Sequence, residues 1–326
     1  MNIGIIFITN KTLKKVSKMG DLSWRFDERE YIYIKEVLDS GFASSTSGNM
    51  NTRLEEAFAK RFNSNFAITF NSGTTTLHAA LEAFGVGFGD EVITTPLTVI
   101  SCMNAILYCG AIPVFADIDP DTFLIDPVSI EKNITPKTKA IMPVHLYGQV
   151  CDMTAIMSIA KKHNLFVLED CAQCYLGEHR GKIGGTFGHV GSWSFENSKH
   201  LTTGDGGIVT CYDEDIADNI RKLNCQGFRN ATAKSGKIRV SRDVFQNPSF
   251  KRHDRFGFMY RLPEVAAAMG LAQLEKIDWF VGLRQQMAKM YTDVIKETSC
   301  NWLIPQNVPL GDVNSYYTYA MRFQNK

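Results

Sequence analysis

The chain has 326 residues, 44% of them hydrophobic and 21% charged, a balance that suits a soluble α/β protein of one large domain with or without a smaller one. Its formal net charge of +1 excludes bulk attraction to nucleic acid or to a membrane surface. The eight cysteines are scattered through apolar runs rather than spaced as a disulfide framework, so a reducing cytoplasm is the expected setting.

Met1 to Phe7 holds an apolar run too short for a signal core or a membrane span, and residues 1–19 read as an extension ahead of the domain. Phe66 to Phe70 reads as a strand that enters Asn71-Ser72-Gly73-Thr74 and then a helix, Thr75 to Phe84. A strand–turn–helix of small residues leaves backbone N–H groups unpaired at the helix start, where an anion can accept them. Gly73 permits close approach and Thr74 adds a hydroxyl, although the same residues also make an ordinary helix cap. Glu91 to Thr94 reads as a second strand and Val99 to Tyr108 as a helix. Pro113 to Asp117, Ala140 to Val144 and Leu165 to Glu169 are continuous apolar runs, the pattern of strands buried on both faces of a mostly parallel sheet. Met153 to His163, between the last two, is an amphipathic helix. The alternation predicts an α/β fold, whose ligands bind at the carboxyl ends of the strands.

Asp170 ends the Leu165 run and therefore stands at that ligand edge. A carboxylate there is costly unless paired, either with a protonated pyridine nitrogen or with a backbone N–H. Gln173, three residues on, can face the same place. Cys171 and Cys174 form a lone pair with no second pair nearby, while zinc needs about four ligands, so they read as packing and no metal site is expected. Lys199 lies in Ser194 to Gly207, flanked by small polar residues and followed by a Gly-rich turn into a strand, Ile208 to Cys211. A solvated surface charge is the ordinary reading of a lysine. An imine-forming amine is the other, and a desolvated site near further cations helps such an amine to shed its proton. His200 reads as structural, because adjacent positions on an extended segment point opposite ways.

Past Cys225 the texture changes. Gly227 to Phe256 is polar and basic, with Arg229, Lys234, Lys237, Arg239, Arg242, Lys251, Arg252 and Arg255 set against Asp243 and Asp254. Glu264 to about Glu297 reads as one helix of roughly nine turns. Pro305 and Pro309 open a last stretch that ends in a strand, Tyr316 to Phe323, and a domain boundary is expected near residues 256–275.

Together these segments resemble the DegT/DnrJ/EryC1/StrS family of sugar aminotransferases, which have an aspartate-aminotransferase-like fold. The resemblance runs through Ser72-Gly73-Thr74, Gly89 to Ile93, Val144 to Gly148, Glu169 to Gln173, Ser194 to Gly207, Tyr260-Arg261 and Ala266 to Leu274, covering about residues 22–323. It implies a type I pyridoxal-phosphate-dependent transferase fold: a large cofactor-binding domain of mostly parallel sheet over residues 20–260, then a linking helix and the start of a small α+β domain over 261–326. Family members normally continue further, so that small domain is expected to be incomplete here. The resemblance also implies roles. Lys199 holds pyridoxal 5'-phosphate as a Schiff base and shuttles a proton; Asp170 binds the pyridine nitrogen, Gln173 the ring's 3' oxygen, and Gly73, Thr74 and Ser194 the phosphate. The implied reaction takes an amino group, with glutamate as donor, to a keto-sugar carried on a nucleotide diphosphate, for amino-sugar and surface-polysaccharide (lipopolysaccharide) synthesis. A homodimer with active sites at the interface is implied, and the basic segment 227–255 is either a reach over the neighbouring site or a solvated loop. A dehydratase branch of the family carries histidine in place of this lysine, so amino transfer is favoured over dehydration. A cofactor-binding regulatory protein without turnover is the remaining alternative. Two positions depart from the family pattern: Val99 stands where an aromatic residue stacks on the ring, and Met259 where an asparagine reaches the partner's phosphate.

Overall fold

The computed structural model describes residues 23–324, and the extension expected over residues 1–19 lies outside the described residues. Short runs rich in β-branched and aromatic residues form the strands. They are β1 (Phe66–Phe70), β2 (Glu91–Thr94), β3 (Ile112–Phe115), β4 (Thr138–Ile141), β5 (Phe166–Asp170), a small hairpin of β6 (Glu178–His179) and β7 (Lys182–Ile183), then β8 (Val190–Ser194) and β9 (Gly207–Cys211). Seven of these form one sheet in the order β1-β9-β8-β5-β4-β2-β3. Neighbours from β8 through β3 run parallel, whereas β9 is antiparallel to both β8 and β1. The fold is thus α/β with a mostly parallel central sheet, as the sequence predicts.

Helices α1 (Glu28–Asp39), α2 (Met50–Arg61), α3 (Gly73–Ala83), α4 (Ser101–Tyr108), α5 (Pro127–Lys132), α6 (Met153–His163) and α7 (Glu214–Asn224) accompany the strands. Beyond them come α8 (Arg242–Gln246), α9 (Glu264–Leu274) and α10 (Ile277–Glu297), and a second small sheet pairs β10 (Leu303–Pro305) with β11 (Met321–Phe323). Side chains alternate across the sheet at the strand period of two. Ile68, Val190 and Val209 enter one cluster with Leu77, Ile106, Ile156 and Ile220, while Ala67, Trp193 and Ile208 enter another with Leu54, Phe58, Ala268 and Leu271. The first places α3, α4, α6 and α7 on one face, and the second places α2 and α9 on the other. Burial on both faces explains why these strands read as unbroken apolar runs.

Four segments differ from the sequence reading. β3 is an edge strand with Ile112 and Phe115 about half exposed, rather than buried on both faces, and the edge is where Pro113 costs no ladder bond. β8 is a central strand, yet its Val-Gly-Ser-Trp-Ser composition carries little strand signal. The expected nine-turn helix breaks between Leu274 and Ile277, where the buried Lys276 amine meets Glu30 Oε1 at 2.5 Å and the Arg25 carbonyl at 2.9 Å. The expected strand Tyr316 to Phe323 is reduced to Met321–Phe323, because Tyr316 takes a left-handed backbone (φ 49°) and its neighbour Ser315 donates its N–H to the Gly148 carbonyl at 2.9 Å.

Candidate active site

Because β9 opposes both its neighbours, β1, β5 and β8 run in one direction. Their carboxyl ends and the start of β9 therefore meet on one edge of the sheet, the expected ligand edge of such a fold. A cavity of about 440 Å³ opens there, lined among others by Gly73, Thr74, Asp170, Gln173, Ser194 and Lys199, so the six residues assigned to the cofactor from the sequence meet in one space.

The first wall is the start of α3. Ser72 Oγ accepts the Thr75 N–H at 3.2 Å and its carbonyl takes that of Thr76 at 3.3 Å, leaving the Gly73 and Thr74 N–H groups without an intrahelical partner. The Thr74 hydroxyl donates to Ser101 Oγ at 3.0 Å, and Ser194 stands beside Gly73 so closely that a β-carbon on Gly73 would lie 2.7 Å from that of Ser194. Free N–H groups at a helix start beside hydroxyls suit a phosphate.

The second wall is the end of β5. Glu169 faces away from the cavity and is fully buried, where it accepts the N–H groups of Gly185, Phe187 and Gly188 at 2.6–2.8 Å and pairs with His145 Nε2 at 2.9 Å. The strand end is thereby fixed, and Asp170 faces the cavity. Its Oδ1 accepts the Ala172 N–H at 2.9 Å and its Oδ2 the Cys102 thiol at 3.1 Å. Burial, and then the Asp170 charge, push the Cys102 thiol well up, so it remains a protonated donor. Gln173 Oε1 accepts the Tyr147 N–H at 2.9 Å, which orients its amide.

Lys199 lies on the third wall, 9% exposed, with no carboxylate within 4.0 Å among the described residues; its amine sits 4.6 Å from the centre of the Tyr317 ring. Arg25 donates to the carbonyls of Asn197, Lys199 and His200 at 2.7–3.1 Å and so clamps the segment that carries the lysine. His200 turns away, donating Nε2–H to the Ser315 carbonyl at 2.9 Å. Burial, reinforced by the Arg284 charge, pushes its pKa down to about 3, and a permanently neutral imidazole agrees with the structural reading. Val99 lines the cavity with Val144 and Ala172, whereas Met259 lies outside it.

A model of the DegT/DnrJ/EryC1/StrS aminotransferase family matches residues 25–326. The chain belongs to that family. It is an aminotransferase of the pyridoxal-phosphate class. The chain is 40% identical over 298 residues to a GDP-perosamine synthase of Caulobacter vibrioides, an alignment spanning 91% of this chain and 75% of that one. Among solved structures, the aminotransferase of Psychrobacter cryohalolentis superposes with a TM-score of 0.81 at 34% identity, covering 90% of this chain and 74% of that one. NtdA of Bacillus subtilis, solved with bound cofactor PMP, superposes with a TM-score of 0.78 at 27% identity over 98% of this chain and 69% of that one.

The cavity fits the cofactor of this family on its own chemistry: a buried amine with no carboxylate within 4.0 Å among the described residues, a carboxylate aimed inward, and two helix N–H groups without intrahelical partners beside hydroxyls. Sequence reasoning missed Tyr317, Ser101, Cys102 and Arg25, whose contacts join segments far apart in the chain and leave no local pattern.

Proposed function

We propose that this chain moves an amino group from L-glutamate to the keto carbon of a sugar carried on a nucleotide diphosphate, acting in the cytoplasm in amino-sugar synthesis. The observation that carries the reading is Lys199: a nearly buried amine with no carboxylate within 4.0 Å among the described residues, facing the cavity that Asp170 also faces. Relatives named as GDP-perosamine synthases support a nucleotide-linked sugar as acceptor.

Bound pyridoxal phosphate supplies an electron sink at its ring, which allows nitrogen to leave one carbon and join another. Gly73, Thr74 and Ser194 would hold the phosphate, the first two through free N–H groups. Asp170 would keep the ring nitrogen protonated, with Cys102 and the Ala172 N–H holding the carboxylate in place. Gln173 would donate its amide N–H to the ring's 3' oxygen. Lys199 would anchor the cofactor and then, released, carry a proton at Nζ. The Tyr317 ring, 4.6 Å from the amine, would limit its travel. Val99 and Val144 offer aliphatic surface where the family uses an aromatic stack.

The homodimer reading rests on the basic segment. Among its cations, Arg229 pairs with Asp254, Lys234 with Glu214 and Arg255 with Glu82, and Arg252 stacks over the Phe245 ring, whereas Lys237, Arg239, Arg242 and Lys251 have no carboxylate within 4.0 Å among the described residues. Those four are the ones proposed to meet the diphosphate in a neighbouring subunit's site. The large domain is proposed to span residues 20–260, although α9 shares its core with α1 and α2.

The test combines borohydride trapping with product mass. Reduction of the wild-type protein should attach the cofactor to the Lys199 peptide, and incubation with glutamate and a keto-sugar nucleotide should yield the amino sugar. Lys199→Ala should lose the trapped adduct and about 100- to 10,000-fold in rate. Turnover of that variant at the wild-type rate would overturn the assignment.

A further inference from the structure

Among the described residues, one group outside the active-site cavity converges as metal ligands do. A ring nitrogen of His78, a Glu82 carboxylate oxygen and Cys109 Sγ all lie within 4.8 Å of one another. His78 and Glu82 stand one turn apart on α3 and so share a face, while Cys109 caps the end of α4, which packs on that face. None of the three lines the active-site cavity, so this site stands or falls apart from amino transfer.

A second, independent observation points to a ligand. His78 is 2% exposed and its Nδ1 lies 3.1 Å from the Tyr260 hydroxyl. Its Nε2 is buried with no hydrogen-bond partner, and the Glu82 oxygen it faces is 3.7 Å away. Buried polar atoms without a partner are rare and costly, and this one, unpartnered among the described residues, stands beside a carboxylate of the same group.

We propose that His78, Glu82 and Cys109 bind a zinc-class divalent cation, with a fourth coordination position open to water. Imidazole, thiolate and carboxylate form a zinc-type donor set, and three protein ligands plus one open position is an established zinc arrangement. A proton on Nδ1 given to the Tyr260 oxygen presents the Nε2 lone pair to the cation, the usual support for a metal-bound histidine. Charge also balances: one carboxylate and one thiolate cancel the dication, so no net charge is buried. The other Glu82 oxygen faces Arg255 Nη2 at 3.9 Å, which leaves Oε1 for the metal. Zinc bond lengths of about 2.0–2.3 Å set ligand atoms roughly 3.5 Å apart; His78 Nε2 and Glu82 Oε1, at 3.7 Å, are already near that spacing, and the Cys109 sulfur completes the group within 4.8 Å. Without the cation, burial and then the Glu82 charge push the Cys109 thiol up to about 12; zinc binding displaces that proton to solvent and forms the Zn–S bond.

The experiment uses the full chain with its cofactor, dialysed against chelator-buffered Zn²⁺ and counted by plasma mass spectrometry. Wild type should hold about one zinc per chain, with affinity falling tenfold or more in Glu82→Gln and in Cys109→Ser, the usual cost of losing a ligand or its support (~10- to 100-fold). Co²⁺ in place of Zn²⁺ should give visible d–d bands and a thiolate charge-transfer band, the latter absent from Cys109→Ser. Circular dichroism establishes that each variant is folded, and Glu82→Gln, at a partly exposed helix position, decides the matter if Cys109→Ser does not fold. Zinc held no more tightly by wild type than by Glu82→Gln, or cobalt bound without thiolate charge transfer, overturns the proposal.

Discussion

Acidification from pH 7 to pH 5 should destabilise this protein by an amount traceable to His200. The side chain is 1% exposed, its Nε2–H is committed to the Ser315 carbonyl, and its Nδ1 is buried without a partner. Burial, then the Arg284 charge, depress its pKa from 6.5 to about 3 in the folded chain. In the unfolded chain the imidazole takes a proton below about 6.5, whereas the folded chain refuses it until about pH 3. The unfolded state therefore binds more protons across that window, so the stability is complete above about pH 6.5 and falls as pH drops. Between pH 7 and pH 5 the loss comes to about 2 kcal/mol. His200→Gln keeps a donor for Ser315 and does not titrate, so urea unfolding at both pH values, at one protein concentration, isolates the effect. Wild type should lose about 2 kcal/mol more than the variant over the interval. His78 and His189, whose pKa values burial also lowers, act equally in both proteins and cancel. Equal losses in the two proteins would refute the reasoning.

Glu55→Gln should cost about 3–5 kcal/mol by urea midpoint, because it strands the buried Arg221 guanidinium, which now forms two hydrogen bonds of 2.6–2.8 Å with that carboxylate. Adding Arg221→Met should recover part of the loss, since the unpaired charge is then gone. Gly73→Ala should weaken cofactor binding about tenfold, or ~1.4 kcal/mol, in a fluorescence titration of the apoprotein, because the new β-carbon must displace Ser194. Circular dichroism should show the variant still folded, so that the loss reads binding and not unfolding.

The architecture was legible where one physical cause dominated. Strands buried on both faces, such as β5, must be apolar throughout, and α6 must alternate at helical spacing, so both announce themselves in a single sequence. Asp170 and Lys199 stood out for the opposite reason: a carboxylate at the end of an apolar run and a lysine ahead of a Gly-rich turn conflict with their surroundings, and the structure brings both to one cavity. What escaped were features set by distant partners. β8 forms from Gly191 and two serines because neighbours on both sides hold its backbone, an override of local preference. The helix after Glu264 carries no breaker, yet it turns at Lys276 so that this amine can meet Glu30 and the Arg25 carbonyl.

That last contact bears on the active site. Arg25 is gripped at its own carbonyl by Lys276 and by the Gln273 amide at 3.0 Å, while its guanidinium holds the carbonyls of Asn197, Lys199 and His200. The helix break, the cap of α1 and the Lys199 segment are thus one connected set of hydrogen bonds. Carbonyls that accept from Arg25 are held in place, so the backbone under Lys199 is fixed while its amine has no carboxylate within 4.0 Å among the described residues. A backbone held in this way beneath the amine is what the proposed role of Lys199 requires, and it comes from Arg25, 174 positions away in the chain.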